Sequence, residues 1–122
     1  MQQVSDYELE LMKTIWSKGG MALYAEIVTD LEAKGNNLTK NTILSLLSRL
    51  IDKGILKTSK TGRRNIYTAI VTENEYQADQ TMRFLDKIYE GSTKGLISTL
   101  IAKNLISKSD YNDLQKQWDG DD

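Results

Sequence analysis

The chain has 122 residues, 39% of them hydrophobic and 27% charged, with a formal net charge of -1, as is typical of one soluble globular domain. It contains neither cysteine nor histidine, which excludes disulfides, thiolate metal sites and the commonest general base. The polar, acidic start lacks the apolar core of a signal peptide and no apolar run could span a bilayer. We therefore expect a cytoplasmic protein without cofactor, metal or enzymatic activity.

The small net charge conceals a strongly basic segment. Between Lys34 and Tyr67 the sequence holds eight cations and one anion, whereas the rest of the chain holds eight cations and sixteen anions. Solvated surfaces usually intersperse both signs, so a one-sided block indicates a surface that meets a polyanion. A basic patch balanced in space by an acidic neighbour is the alternative.

Three helices are predicted before the first change of hydrophobic period. Ser5 and Glu8 have the spacing of a capping box that starts the first helix, which ends at Gly19. A second helix is predicted over about 23–34, and a third follows the N-cap Thr39 and ends at the next glycine. Two short helices joined by a few polar residues, the second rich in small polar groups near its start, are typical of a helix-turn-helix.

A β-hairpin is predicted next, because the hydrophobic period changes to two. Ile55 and Leu56 begin one strand, the Thr61-Gly62 step turns the chain, and alternating residues over 66–71 form the return strand. Three helices followed by a hairpin is the order of a winged helix-turn-helix. The hairpin, residues 55–71, is called the wing here, and it carries four cations near its tip: Lys57, Lys60, Arg63 and Arg64.

The remainder of the sequence predicts three amphipathic helices, over about 73–90 and 93–105 and after an N-cap at Ser109. Their apolar stripes exceed what the winged domain can cover, and a symmetric dimer would bury the same faces twice. A folded-back monomer is the alternative. The predicted fold class is mostly α with a small β-hairpin: a winged helix-turn-helix DNA-binding domain over 1–72 and a C-terminal helical dimerisation region over 73–122. The candidate dimerisation residues are Leu85, Ile88, Leu96, Ile97, Leu100 and Ile101.

The candidate DNA contacts lie on the third helix and the wing. Short polar side chains near a recognition helix start can read base edges in the major groove, and Asn41 can pair with an adenine. Leu44 can rest against thymine methyl groups or be a half-buried contact within its own domain. Arg63 and Arg64 can straddle a phosphate backbone or enter the minor groove. The candidate DNA-binding residues are Lys40, Asn41, Thr42, Leu44, Ser45, Arg49, Lys60, Arg63 and Arg64.

The ordered set of segments resembles the penicillinase-repressor (BlaI/MecI) family from about Val4 to Trp118. The segments that carry the resemblance are YELELMKTIW, AEIVTDLEAKG, LTKNTILSLLSRLIDKGIL, GRRNIYTAIVTENEY and FLDKIYEGSTKGLISTLI. The resemblance implies a homodimeric winged-helix repressor that binds a palindromic double-stranded operator through Asn41, Thr42 and Ser45 and leaves DNA when induced.

Three features differ from the family pattern. Leu44 falls where several members carry a basic groove residue, so the operator sequence is not carried over. The Asn-Phe bond that is cleaved in β-lactam-responsive members corresponds here to Thr99-Leu100, and the Cys-x-Cys pairs of copper-responsive members are missing. The resemblance therefore implies no mechanism of release.

Two other functions fit a winged helix. One is a module that binds protein rather than DNA, which would not need the basic block over helix and wing. The other is a ligand-sensing regulator of the MarR type, which would need a pocket between the winged domain and the dimerisation helices.

Overall fold

The computed structural model describes residues 1–120 as nine helices and strands in the order expected of a winged helix followed by helices. They are α1 Asp6–Ser17, β1 Met21–Leu23, α2 Tyr24–Ala33, α3 Lys40–Asp52, β2 Leu56–Thr61, β3 Arg64–Ala69, α4 Glu73–Tyr89, α5 Thr93–Ala102 and α6 Lys108–Asp119. This order confirms the predicted fold class. The chain forms two compact units, Met1–Gln80 and a second that begins at Thr81. The domain boundary at residue 72 stays a prediction.

The two N-caps predicted for the first and third helices are present. The Glu8 amide donates to Ser5 Oγ at 3.2 Å, and the Ser5 amide donates to Glu8 Oε1 at 2.8 Å, which completes the capping box. At the start of α3, the Thr42 amide donates to Thr39 Oγ1 at 3.2 Å. Side chains that satisfy these otherwise unpaired amides define where both helices begin.

The N-cap predicted for the last helix is wrong by two residues. Ser107 is the cap, because its Oγ accepts from the Asp110 amide at 3.0 Å and its own amide donates to the Asp110 carboxylate at 3.0 Å. Ser109 lies inside the first turn of α6. Ser107 and Asp110 have capping-box spacing, and that reciprocal pair outweighs the single serine chosen from the sequence.

The wing belongs to a three-stranded antiparallel sheet, in which the sequence predicted only two strands. The strand order is β1-β3-β2, and β1 pairs Ala22 with Tyr67. In the hairpin, Thr61 still pairs with Arg64, so the turn is Gly62-Arg63, one residue later than predicted. Gly62 has φ of +65°, which suits the first position of a two-residue hairpin turn.

The core of the first unit lies between the inner faces of the first three helices and the sheet. Tyr67 is buried there, as is Tyr76 from the start of α4. Trp16 packs at the edge of this core, and its Nε1–H donates to the Val71 carbonyl at 2.9 Å. The most deeply buried apolar residues are Leu11, Met12, Ile15, Ile27, Leu31, Leu47, Leu50, Ile55 and Leu56.

The second unit has no comparable core. From residue 81 to residue 120 every side chain retains partial or full exposure. Ile101 is 54% exposed and Trp118 is 85% exposed. Within residues 1–120, no helix combines the length and the apolar character needed to cross a membrane.

Candidate nucleic-acid interface

Helix α3 separates an apolar face from a polar one. Ile43, Leu47 and Leu50 are buried in the core of the first unit, and this packing fixes the rotation of the helix about its axis. The opposite face is polar and exposed. Its exposed residues are Lys40, Asn41, Thr42, Ser45, Ser48 and Arg49.

A cleft of about 570 Å³ lies where the start of α3 approaches the wing and the start of α2. The three cations that line it, Lys40, Arg63 and Arg64, were all predicted from the sequence as DNA contacts. Leu44 lines this cleft and also a neighbouring depression of about 480 Å³ on α3. The other lining residues of the cleft are Leu23, Tyr24, Ala25 and Asn65, and those of the depression are Asn41, Ser45, Ser48 and Arg49.

Two predicted contact residues line neither surface. Thr42 takes part in the N-cap, because its Oγ1 accepts a hydrogen bond from the Thr39 hydroxyl at 2.9 Å. Lys60 lies on β2 opposite Asn65, with its side chain exposed. The structure therefore brings together seven of the nine predicted DNA-binding residues around two adjoining concave surfaces.

Tyr24 and Asn65 are the notable residues of the cleft that were not predicted. Tyr24 is three and seven residues before Ile27 and Leu31, so its spacing alone favours a core position. The structure instead leaves it half-buried at the start of α2, lining the cleft. Asn65 belongs to the wing itself, whereas Tyr24 is brought to the wing by the pairing of β1 with β3, which the sequence analysis missed.

The free positive charge is more concentrated than the sequence suggested. Lys34 pairs with Asp30 at 3.0 Å on its own helix, and Lys53 pairs with Glu8 at 2.7 Å. The other six cations of the basic segment form no ion pair within residues 1–120. They are Lys40, Arg49, Lys57, Lys60, Arg63 and Arg64, all on α3 or the wing.

Two further chemical features are the state of the Tyr67 hydroxyl and the capacity of acidic side chains to hold a metal ion. Burial raises the pKa of the Tyr67 hydroxyl, although a hydrogen bond with Thr58 on the neighbouring strand opposes this. Tyr67 is a core residue, only 5% exposed, rather than a phosphate contact. Across the described residues no group of three or more acidic side chains could hold a metal ion.

Comparison of the sequence with known proteins finds clear relatives. A sequence profile of the penicillinase repressor family matches residues 4–120. The penicillinase repressor of Bacillus licheniformis is 32% identical over 112 residues, which is 92% of this chain and 86% of the relative. The methicillin resistance regulatory protein MecI of Staphylococcus aureus (strain N315) is 25% identical over 113 residues, which is 93% of this chain and 90% of the relative. These matches confirm the resemblance seen in the sequence.

Solved structures resemble somewhat more than half of the chain. The DNA-binding domain of the repressor BlaI matches with a TM-score of 0.52 and 40% identity, covering 61% of this chain and 88% of that chain. The monomeric form of Bacillus licheniformis BlaI in complex with the blaP half-operator matches with a TM-score of 0.52 and 39% identity. This match covers 62% of this chain and 89% of that chain.

Proposed function

The chain belongs to the penicillinase repressor family, whose members are DNA-binding repressors rather than enzymes, and we propose that it acts as a cytoplasmic homodimer on a palindromic operator. The observation that carries this proposal is the clustering of unpaired cations. Lys40, Arg63 and Arg64 line one cleft with the start of α3, and among the residues that the structure describes no carboxylate lines that cleft. Such a surface suits a phosphodiester backbone.

The two concave surfaces suggest a division of roles. Asn41 and Ser45 line the depression on α3 and are proposed to read base edges in the major groove. Leu44 is proposed to meet an apolar base edge such as a thymine methyl. The cations of the cleft are proposed to position the protein on phosphates, and positioning contacts carry little sequence information.

The second unit is proposed to be the dimerisation region. Its predicted interface residues remain partly or fully exposed in one protomer, and Ile88, Ile97 and Ile101 are among the exposed large hydrophobic side chains. A two-fold symmetric contact would cover the same apolar patch on both copies. Two winged domains related by that axis would then face two half-sites, which is why a palindromic operator is expected.

Fluorescence anisotropy with selected DNA tests the proposal. A random-sequence duplex library is first enriched with the whole protein, and the enriched duplex is titrated against a scrambled competitor at several salt concentrations. Tight, competitor-resistant binding that falls steeply with salt supports the repressor. Failure to enrich any sequence contradicts it and favours a protein-binding winged helix. Enrichment that requires an added small molecule favours a ligand-sensing regulator.

A further inference from the structure

Glu8 on α1 and Lys53 at the end of α3 form an ion pair across the first unit, in which the carboxylate is buried and the lysine side chain is 24% exposed. Lys53 Nζ donates to Glu8 Oε1 at 2.7 Å and to the Gln3 carbonyl at 3.2 Å. The same Oε1 accepts a hydrogen bond from the Ser5 amide at 2.8 Å. Glu8 is only 1% exposed, although it stands in the first turn of a helix.

Joining two helices through this ion pair carries a desolvation cost that apolar contacts would not carry. Charges lose hydration when they are buried, and apolar residues of similar volume often stabilise a fold as well or better. Glu8 Oε2 is also buried and has no hydrogen-bond partner within residues 1–120. Burial acts to raise the pKa of Glu8, but hydrogen bonds from Lys53 and Ser5 outweigh it, so the net pKa is lowered and the Glu8 carboxylate is ionised at neutral pH. An ion pair restricts geometry more than apolar packing does, because the two hydrogen bonds of Lys53 Nζ are directional.

The geometry that the pair restricts is that of α3. Lys53 is the C-cap residue of this helix, and its side chain connects the helix end to α1 and to the segment that precedes α1. A continuous helix of 13 residues behaves as a rigid body. The position of its C-terminal end therefore also sets the positions of Asn41 and Ser45 near its start. The apolar stripe fixes rotation about the axis, whereas the ion pair fixes one end of the rod.

We infer that Glu8 and Lys53 are positioning residues for operator recognition: their ion pair sets the angle and the register at which α3 presents its base-reading side chains, while neither residue contacts DNA. This inference rests on the proposed function. It also assigns Lys53 a role different from that of the other cations in the basic segment.

The isosteric substitution Glu8→Gln tests this through the sign of the effect. It removes a negative charge and leaves Lys53 uncompensated, so electrostatics alone tightens binding to every DNA. Loss of positioning instead weakens binding to the selected duplex by about tenfold, the order expected for one misaligned base contact, and leaves random-sequence duplex unchanged or bound more tightly. The introduced glutamine side chain retains an oxygen that can accept from the Ser5 amide, which preserves the cap.

A second pair of variants keeps the test independent of stability. Lys53→Arg retains the charge and the pair, and is expected to retain the ratio of selected to random affinity. Glu8→Gln combined with Lys53→Met leaves no buried charge, and is expected to lose that ratio with an unchanged salt slope. Lys34→Met is the matched control, because it removes a cation of the same segment whose partner is on its own helix. Thermal unfolding of each variant confirms that binding is measured on folded protein.

Two outcomes overturn the inference. A selected-to-random ratio within about twofold of wild type in the folded double variant means that the pair only stabilises the fold. A uniform loss on both duplexes, with the salt slope reduced by about one, means that Lys53 contacts a phosphate. If the wild-type protein enriches no duplex at all, the proposed function fails first, which is a separate result.

Discussion

The indole ring of Trp16 in α1 packs against the phenol ring of Tyr76 in α4, with ring centroids 5.8 Å apart and planes inclined by 40°. The Tyr76 hydroxyl also accepts a hydrogen bond from the Val4 amide at 3.1 Å, and Tyr76 is only 6% exposed. The first turn of α4 is thereby part of the core of the first unit.

Shortening the protein to residues 1–72 should therefore destabilise the winged domain relative to residues 1–80. Loss of the buried Tyr76 ring should cost about 3 kcal/mol, as for other large aromatic side chains removed from a core. Urea unfolding of the two fragments measures the difference. Tyr76→Ala in the longer fragment is the control and should account for most of it. Equal stability of both fragments would support the boundary predicted at residue 72.

Removing both wing-tip arginines should weaken binding to all DNA sequences alike. Arg63→Ala with Arg64→Ala removes two cations of the cleft, so the slope of log affinity against log salt should flatten by about two. Lys13→Ala with Lys18→Ala changes the net charge equally outside the cleft and should leave that slope nearly unchanged. An unaltered slope in the arginine variant would exclude the wing from the interface.

Asn41→Ala should instead act on sequence preference. The side chain lines the depression on α3, and loss of a base-edge pair costs about 1–3 kcal/mol on the selected duplex. Binding to duplexes with each single base pair changed locates the position that becomes tolerant. Ser48→Ala in the same depression is the matched control. Equal loss on random DNA would make Asn41 a phosphate contact.

Ile101→Asp should convert a dimer to a folded monomer. Because Ile101 is already exposed in one protomer, the charge should leave the protomer intact while it prevents apolar contact with a second copy. Sedimentation velocity at micromolar concentration measures the state, and circular dichroism checks the helices. Ser98→Asp, also exposed on α5, is the control. A wild-type monomer under the same conditions contradicts the proposed dimer.

Acid should weaken the contact between α1 and α2. The buried Thr14 hydroxyl donates to Asp30 Oδ2, and this bond, with Lys34, lowers the pKa of Asp30 from its ordinary value near 3.8. A lowered folded-state pKa gives stability that is fully present above the ordinary value and is lost as pH falls through the lowered one. Asp30→Asn should lower stability at neutral pH and reduce the loss below about pH 4, as followed by urea unfolding. Asp52→Asn, at an exposed position, is the control and should change neither the stability at neutral pH nor the loss of stability in acid.

The features predicted well from the sequence are those that depend on neighbouring residues. The Ser5 and Thr39 caps involve partners three residues away, and a change of hydrophobic period is visible within the segment that contains it. The positions of the helices and of the hairpin follow from such signals. The cations of the wing could be placed for the same reason, because a hairpin tip is exposed in any packing.

The features missed depend on contacts between distant parts of the chain. Glu8 reads as an exposed capping residue, and nothing local indicates a partner 45 residues away at Lys53. Strand β1 has three residues, too few for an alternating pattern, and exists because β3 supplies its hydrogen bonds. The place of Tyr24 at the cleft follows from that strand.

DNA contact by the predicted residues stays a prediction.

The short β1 strand gives the wing unequal stiffness along its length. Near its root β3 is held from both sides, because β1 pairs with Ile66, Tyr67 and Thr68 while β2 pairs from the other edge. Beyond Ile66, toward Gly62, only β2 remains as a partner within the described chain, and two-stranded ribbons twist and bend more readily than sheets. The arginines thus sit on a compliant tip above a rigid base. On the palindromic operator that we propose, such a wing would follow grooves of different width at the two half-sites while the core that orients α3 stays unchanged.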